Sequence, residues 1–164
     1  IALMQAGELL QVGTPMELYR NPRRAEVAQF FGLVNWLHGK VLQPCVAETP
    51  VGVLQVMGAK ESGADILLGI RPECVSIVEA SPGTGTNLLR AALQSSTFLG
   101  DQFFYSARVD GHLLTGKSRA IPARRGGDLT VRVDPADIMV FPASDGLVPS
   151  DEGPGKLAIS GTTV

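Results

Sequence analysis

Short apolar runs, broken by glycine, proline and polar turns, set the pattern of the chain. Ile1 to Met4 and Leu9 to Val12 flank Gln5-Ala6-Gly7-Glu8, and two such runs around a glycine turn predict a β-hairpin. Thr14-Pro15-Met16-Glu17 follows. It carries a threonine that can cap, a proline suited to the first helical position and a glutamate that completes a capping box, so a helix starts there. That helix stops at Asn21-Pro22. A second helix is predicted from about Arg24 to Phe31, with Ala25, Ala28 and Phe31 on its apolar face beside Val27 and Phe30. Gly32 ends it.

Beyond Gly32 the period changes to β-type runs separated by turns. They are 37–46, 51–56, 66–70, 75–78, 88–98, 103–109, 112–114, 129–133 and 138–141. Such regular spacing predicts an all-β barrel or sandwich. One internal repeat stands out. Residues 65–81 align without gaps on residues 128–144, an offset of 63 (128 − 65). Asp65/Asp128, Pro72/Pro135, Ala80/Ala143 and Ser81/Ser144 are identical, and the apolar pairs Ile66/Leu129, Leu68/Val131, Ile70/Val133, Val75/Ile138 and Ile77/Val140 fill the strands. Each copy reads as strand, proline corner, strand, because proline fixes φ and removes a ladder donor where a strand must stop. Two similar β units folded against each other are expected. From residue 144 onward Gly, Ser, Pro and Asp predict a flexible tail.

Composition narrows the function. With 14 Lys+Arg, 16 Asp+Glu and a net charge of −2, the chain lacks the basic balance on which non-specific nucleic-acid binding rests. The 45% hydrophobic share supports a packed core, and no run approaches the roughly 18 apolar residues of a membrane span. Cys45 and Cys74 are too few for a disulfide framework or a Cys-pair zinc site. A start at Ile1, in what reads as mid-strand, leads to the expectation that the chain is a piece of a longer protein.

Few residues suggest chemistry. Gly111 to Ser118 fits the letters of a phosphate loop, G-x-x-x-x-G-K-[ST]. A working phosphate loop needs a strand before it and a helix starting at the lysine. Here Pro122 follows too closely for a helix, and Asp110-Gly111 reads as a hairpin turn. Lys117, Arg119, Arg124 and Arg125 form a basic cluster that is either an anion-holding loop or a solvated face balanced by Asp101 and Asp128. Arg71-Pro72-Glu73 reads as a structural corner with an ion pair. His38 and His112 read as strand-edge side chains, Asp134 and Asp137 as turn chemistry, and Trp36 as packing between helix and β domain. No catalytic constellation and no metal-ligand spacing emerges.

The stretch from Met4 to Val41 resembles the end of the ATP-binding subunit of bacterial ABC importers, where it runs into a C-terminal regulatory domain. Gly7, Gln11, Gly13, Thr14, Pro15, Glu17, Tyr19 and Pro22 carry one family pattern, and Val27, Ala28, Phe30, Phe31, Gly32 and Asn35 a second. Gly69-Ile70-Arg71-Pro72-Glu73 resembles the Arg-Pro-Glu corner of the OB-like TOBE domain, and 98–101 and 127–142 resemble its later strands. The resemblance implies a mostly β, OB-like TOBE barrel built from two similar units, preceded by a hairpin and two short helices. It implies three regions: the end of the ATPase domain at 1–33, the regulatory domain at 34–143 and a tail at 144–164. The phosphate loop, signature motif and Walker B carboxylates would lie upstream of Ile1, so this piece is expected to be no enzyme and to hold no cofactor, ATP and Mg²⁺ belonging to the ATPase domain. The implied partners are a second copy, through the β domain, and membrane-spanning permease subunits, at the cytoplasmic face of the membrane. Nucleic acid is not among them. The implied cargo is ferric ion, sulfate, polyamine or sugar, and the repeat also resembles the double β module of molybdate-sensing relatives.

Overall fold

The computed structural model describes residues 1–59, 61–81, 85–121 and 127–144, and the backbone of Val148–Pro149 and Leu157–Ala158. Strands β1 (Ala2–Gln5) and β2 (Glu8–Val12) pair antiparallel as the predicted hairpin. The turn residues Ala6 and Gly7 both take positive φ, 49° and 83°. Helix α1 (Pro15–Arg20) starts with the full capping box: Glu17 N–H donates to Thr14 Oγ1 at 3.2 Å, and Thr14 N–H donates to Glu17 Oε2 at 2.7 Å. The Thr14 N–H and the Thr14 hydroxyl, which donates to Glu17 Oε2 at 2.9 Å, hold the exposed Glu17 carboxyl below its ordinary range. Helix α2 (Ala25–Phe30) follows, with Arg24 at its N-cap. Leu3, Leu18 and Val27 form a small buried cluster with Leu10 and Phe31 against it, so hairpin and helices share one packed segment. The buried Gln11 ties the loop between the helices: its Nε2–H donates to Asn21 O at 3.2 Å and its Oε1 accepts from Arg23 N–H at 2.9 Å.

The β domain comprises β3 (Asn35–Gln43), β4 (Val46–Thr49), β5 (Gly52–Gln55), β6 (Asp65–Ile70), β7 (Val75–Val78), β8 (Leu88–Phe98), β9 (Phe103–Val109), β10 (His112–Ser118), β11 (Asp128–Val133) and β12 (Ile138–Pro142). Two five-stranded antiparallel sheets result, in the orders β10-β9-β8-β11-β7 and β12-β6-β3-β4-β5. In the first sheet the edge strands β10 and β7 lie close to one another, so the sheet curls on itself. Side chains from both sheets, among them Leu37, Leu54, Leu68, Ile70, Val75, Tyr105, Leu114 and Val131, fill one core.

The repeat explains how the sheets are joined. Each copy is strand, 3-10 turn, strand: β6, Pro72–Cys74, β7 in one, and β11, Pro135–Asp137, β12 in the other. The copies exchange halves. β6 pairs with β12, setting Ile70 opposite Ile138, and β7 pairs with β11, setting Val75 opposite Val133. Each copy therefore contributes one strand to each sheet. The turn aspartate of the second copy works as expected, with Asp134 Oδ1 accepting from Ala136 N–H at 3.0 Å.

Two predicted runs change. The run at 37–46 divides, because Cys45 adopts a φ of 63° and turns the chain between β3 and β4. The run at 112–114 extends to Ser118, since Thr115, Gly116 and Lys117 continue the ladder opposite Ser106, Tyr105 and Phe104. Polar and small residues there interrupt the apolar pattern without interrupting the backbone pairing. The predicted tail lies almost wholly outside the described residues, though the backbone of Val148–Pro149 pairs with Leu157–Ala158.

Candidate functional site

Chemically distinctive side chains gather where the helices meet the β domain. Strand β6 is apolar on both faces. Ile66, Leu68 and Ile70 face the main core, while Leu67 joins Ala25, Ala28 and Phe141 in a second cluster. Trp36 and Met139 pack against that second cluster, with the Trp36 and Phe141 ring centroids 5.9 Å apart. The expected packing of Trp36 between helix and β domain is thus present.

Arg71, the first residue after β6, is 4% exposed. Its Nη2 donates to Tyr19 O at 3.1 Å and to Ala28 O at 3.2 Å, the former at the end of α1 and the latter inside α2. Its guanidinium carbon sits 3.8 Å from the centroid of the Tyr19 ring, a cation–π stack. One side chain of the β domain thus holds both helices. Glu73 completes the contact: the Tyr19 hydroxyl donates to Glu73 Oε1, and Lys117 Nζ lies 3.5 Å from Glu73 Oε2. The network runs from α1 through the proline corner to β10.

The charges respond to this setting. Burial, then the bond to Glu73, pushes the Tyr19 hydroxyl up to about 12 despite Arg71, so Tyr19 is a donor at neutral pH. Partial burial works to raise the Glu73 carboxyl, but the Tyr19 hydroxyl, its own backbone N–H, Lys117 and Arg71 together hold it below its ordinary value. A depressed folded-state value means that the contribution of Glu73 is present above the unfolded value of 4.5 and fades as pH falls through the folded one. Wild type is therefore expected to lose thermal stability between pH 5 and pH 3 more steeply than Glu73→Gln, as followed by circular dichroism. Burial, then Asp137 and Glu73, pushes the Cys74 thiol up to about 11, which leaves almost no thiolate at neutral pH. With Cys45 exposed as an internal reference, Cys74 should react with iodoacetamide at pH 8 at least about tenfold more slowly, read by mass spectrometry of the two peptides.

The residues singled out in the sequence divide. The expected ion pair at Arg71-Pro72-Glu73 is replaced by separate partners: Arg71 turns inward to helix carbonyls and the Tyr19 ring, whereas Glu73 turns to Tyr19 and Lys117. Lys117 thus belongs to the junction, Arg119 is exposed at the end of β10, and Arg124 and Arg125 lie outside the described residues. The phosphate-loop letters fall on the β9–β10 hairpin. Asp110 and Gly111 form its turn with φ of 44° and 91°, and Gly116 and Lys117 are strand residues. His38 is exposed on β3 and His112 half-buried at the start of β10. Among the described residues no three His, Cys, Asp or Glu side chains cluster as metal ligands, and no helix is long and apolar enough to cross a membrane.

Asn35 went unread as a working residue beyond its place in the family pattern. It is 1% exposed on β3. Its Nδ2 donates to Ile70 O at 3.1 Å and to Thr115 O at 2.9 Å, and its Oδ1 accepts from Thr115 N–H at 2.7 Å and Thr115 Oγ1 at 3.0 Å. One amide therefore links the first strand of one sheet to the edge strand of the other.

Fold and junction together define an OB-like β domain of interlocked repeats, with a helical segment fastened to its proline corner. Residues 68–141 match the profile of the TOBE domain, TOBE_2, and the chain carries a TOBE domain of the kind found in ABC importer ATP-binding proteins. The spermidine/putrescine import ATP-binding protein PotA 1 of Pseudomonas aeruginosa is 31% identical over 153 residues, covering 85% of this chain and 40% of that protein. The Fe(3+) ions import ATP-binding protein FbpC of Streptomyces coelicolor is 30% identical over 146 residues, covering 88% of this chain and 40% of that protein. The chain thus spans about two fifths of the length of these relatives. The cytoplasmic molybdate-binding protein ModG, solved with molybdate bound, superposes with a TM-score of 0.56 at 10% identity, covering 66% of this chain and 95% of ModG, a likeness of fold alone.

Proposed function

We propose that this chain is the C-terminal regulatory and dimerising part of the ATP-binding subunit of an ABC importer. Residues 1–33 would end the ATPase domain, and 34–143 would form the TOBE domain that keeps two subunits together. The observation that carries the reading is the fastening of both helices to Arg71 at the proline corner, because it ties the helical segment directly to the β domain. A second observation supports it: Met4, Leu9, Val12, Met16 and Phe30 are large, apolar and exposed on the first 33 residues, as a face covered by a preceding domain would be. On this reading the parent is an ATPase working with permease subunits at the cytoplasmic face of the membrane, and ATP and Mg²⁺ bind its other domain. Its cargo falls among the polyamines and ferric ion named for the relatives.

Light scattering across a concentration series tests dimerisation. The expected outcome is a mass approaching twice 17.3 kDa as concentration rises, and a monomer throughout overturns it. ATP with Mg²⁺ should leave the melting temperature unmoved, and a saturable rise overturns the placing of the nucleotide site elsewhere. The alternative, a module that senses a small oxyanion such as molybdate or sulfate, rests on the paired β units. Calorimetry with molybdate, tungstate, sulfate and phosphate decides it.

A further inference from the structure

A cleft of about 720 Å³ opens beside the junction, between the end of α1, the Pro72–Cys74 turn and β12. Tyr19, Arg20, Pro22, Arg71, Asp137 and Met139 are among its lining residues. Its volume falls within the range of about 300–1,000 Å³ typical of small-molecule sites.

Arg71 makes the cleft more than a gap. Both bonds of its guanidinium leave from Nη2, while Nε and Nη1 are buried and have no hydrogen-bond partner. No carboxylate forms an ion pair with it among the described residues. Burying a cation with free N–H groups is costly unless an acceptor meets them. Glu73, two residues along the same corner, is already engaged by the Tyr19 hydroxyl and by Lys117. Of the remaining charged lining residues, Arg20 and Arg71 outnumber Asp137. Pro22 and Met139 give the cleft an apolar wall.

We propose that this cleft binds a small organic anion. The free N–H groups of Arg71 receive its carboxylate or phosphate head, and Pro22 and Met139 cover its apolar body. The ligand reaches Arg71 by displacing the Tyr19 ring, which covers one face of the guanidinium and is held at its far end by Glu73. Occupancy therefore loosens the contact between α1 and the proline corner, which couples the ligand to the helix junction.

Benzoate, phenyl phosphate, inorganic phosphate and benzyl alcohol at fixed ionic strength test this on the full chain. Benzoate or phenyl phosphate should raise the melting temperature saturably, by about 5 °C at a hundredfold excess over Kd. Inorganic phosphate and benzyl alcohol should each do far less. The benefit should disappear in Arg71→Lys, which keeps the charge and removes the free N–H groups, and persist in Arg119→Ala. A second readout needs no variant: in ¹⁵N-labelled protein the Arg71 Nε–H resonance should shift along with that of the Tyr19 backbone amide. An unmoved Arg71 resonance overturns the site, as does an equal response to benzyl alcohol or to inorganic phosphate. Loss of the response in Arg119→Ala overturns it in favour of the loop after β10. Benzoate and phenyl phosphate compared with each other identify the preferred head group. None of these failures touches the TOBE assignment, which rests on the profile match of residues 68–141.

Discussion

Gly116→Ala is expected to destabilise the chain severely, although Gly116 stands in an open-looking run of small and polar residues. A Cβ at this position would lie 2.3 Å from Tyr105 Cζ, 2.4 Å from its hydroxyl oxygen and 2.6 Å from Cε1. Gly116 is paired directly opposite Tyr105 across the β9–β10 ladder, and the ring lies over the bare glycine backbone. The ring has nowhere to go: Tyr105 is 1% exposed, and its hydroxyl donates to Val75 O at 2.9 Å, across to the strand after the proline corner. Burial also pushes that hydroxyl upward, so it stays a donor at any working pH. Overpacking ordinarily costs about 1–3 kcal/mol. Here it would also break a buried hydrogen bond worth about 1 kcal/mol or more, so a loss of about 3 kcal/mol or more is expected in urea unfolding. Lys117→Ala is the contrasting variant. Its ion pair with Glu73 is about one third exposed on both sides, and such pairs contribute about 0–1 kcal/mol. A phosphate loop would reverse the ranking in function, with the lysine dominant. Gly116→Ala combined with Tyr105→Leu should cost much less than the sum of the two single changes, because the clash exists only when both side chains are present.

The parts of the fold that sequence made legible are those fixed by a few neighbouring residues. Thr14, Pro15 and Glu17 spell a helix start whose bonds all close within four positions. Asp110-Gly111 states a turn by its tolerance of positive φ. The two proline corners could be aligned because each interrupts the same apolar pattern at the same offset. The exchange of halves between the repeats was not legible, since pairing β6 with β12 depends on contacts some 70 residues apart. The site was half visible for the same reason. Arg71 and Glu73 were marked by their corner, but adjacency suggested that they pair with each other. Their real partners, Tyr19, Ala28 and Lys117, come from three distant elements. Asn87 was invisible: it takes a φ of 49° and fastens the edge strand β5 by exchanging two bonds of 2.8 Å with the Gln55 backbone. A lone asparagine between runs announces a turn and gives no hint of which strand it will hold.

Asn35→Ala should be comparably damaging, and for a reason that locates the weak point between the sheets. Four hydrogen bonds converge on this one buried amide, from Ile70 and from three atoms of Thr115. They use both donors and both lone pairs of the side chain, which leaves nothing to improve. β10 is an edge strand, and Asn35 offers its backbone at Thr115 the donor and acceptor that a further strand would supply. Truncation strands a buried N–H and C=O that water reaches only by opening the sheets, at about 1–3 kcal/mol each. A total loss of about 3–5 kcal/mol is expected. Asn35→Asp separates hydrogen bonding from volume. It keeps the acceptor for Thr115, loses both donated bonds and buries a charge, so it should be no more stable than Asn35→Ala. Hydrogen exchange locates the effect: the Thr115 amide should lose its protection in both variants, while the amides of the β1–β2 hairpin keep theirs. If Thr115 stayed protected in a destabilised Asn35→Ala protein, Asn35 would be filling space, and the two sheets would be held together by the shared apolar core and the exchanged repeats alone.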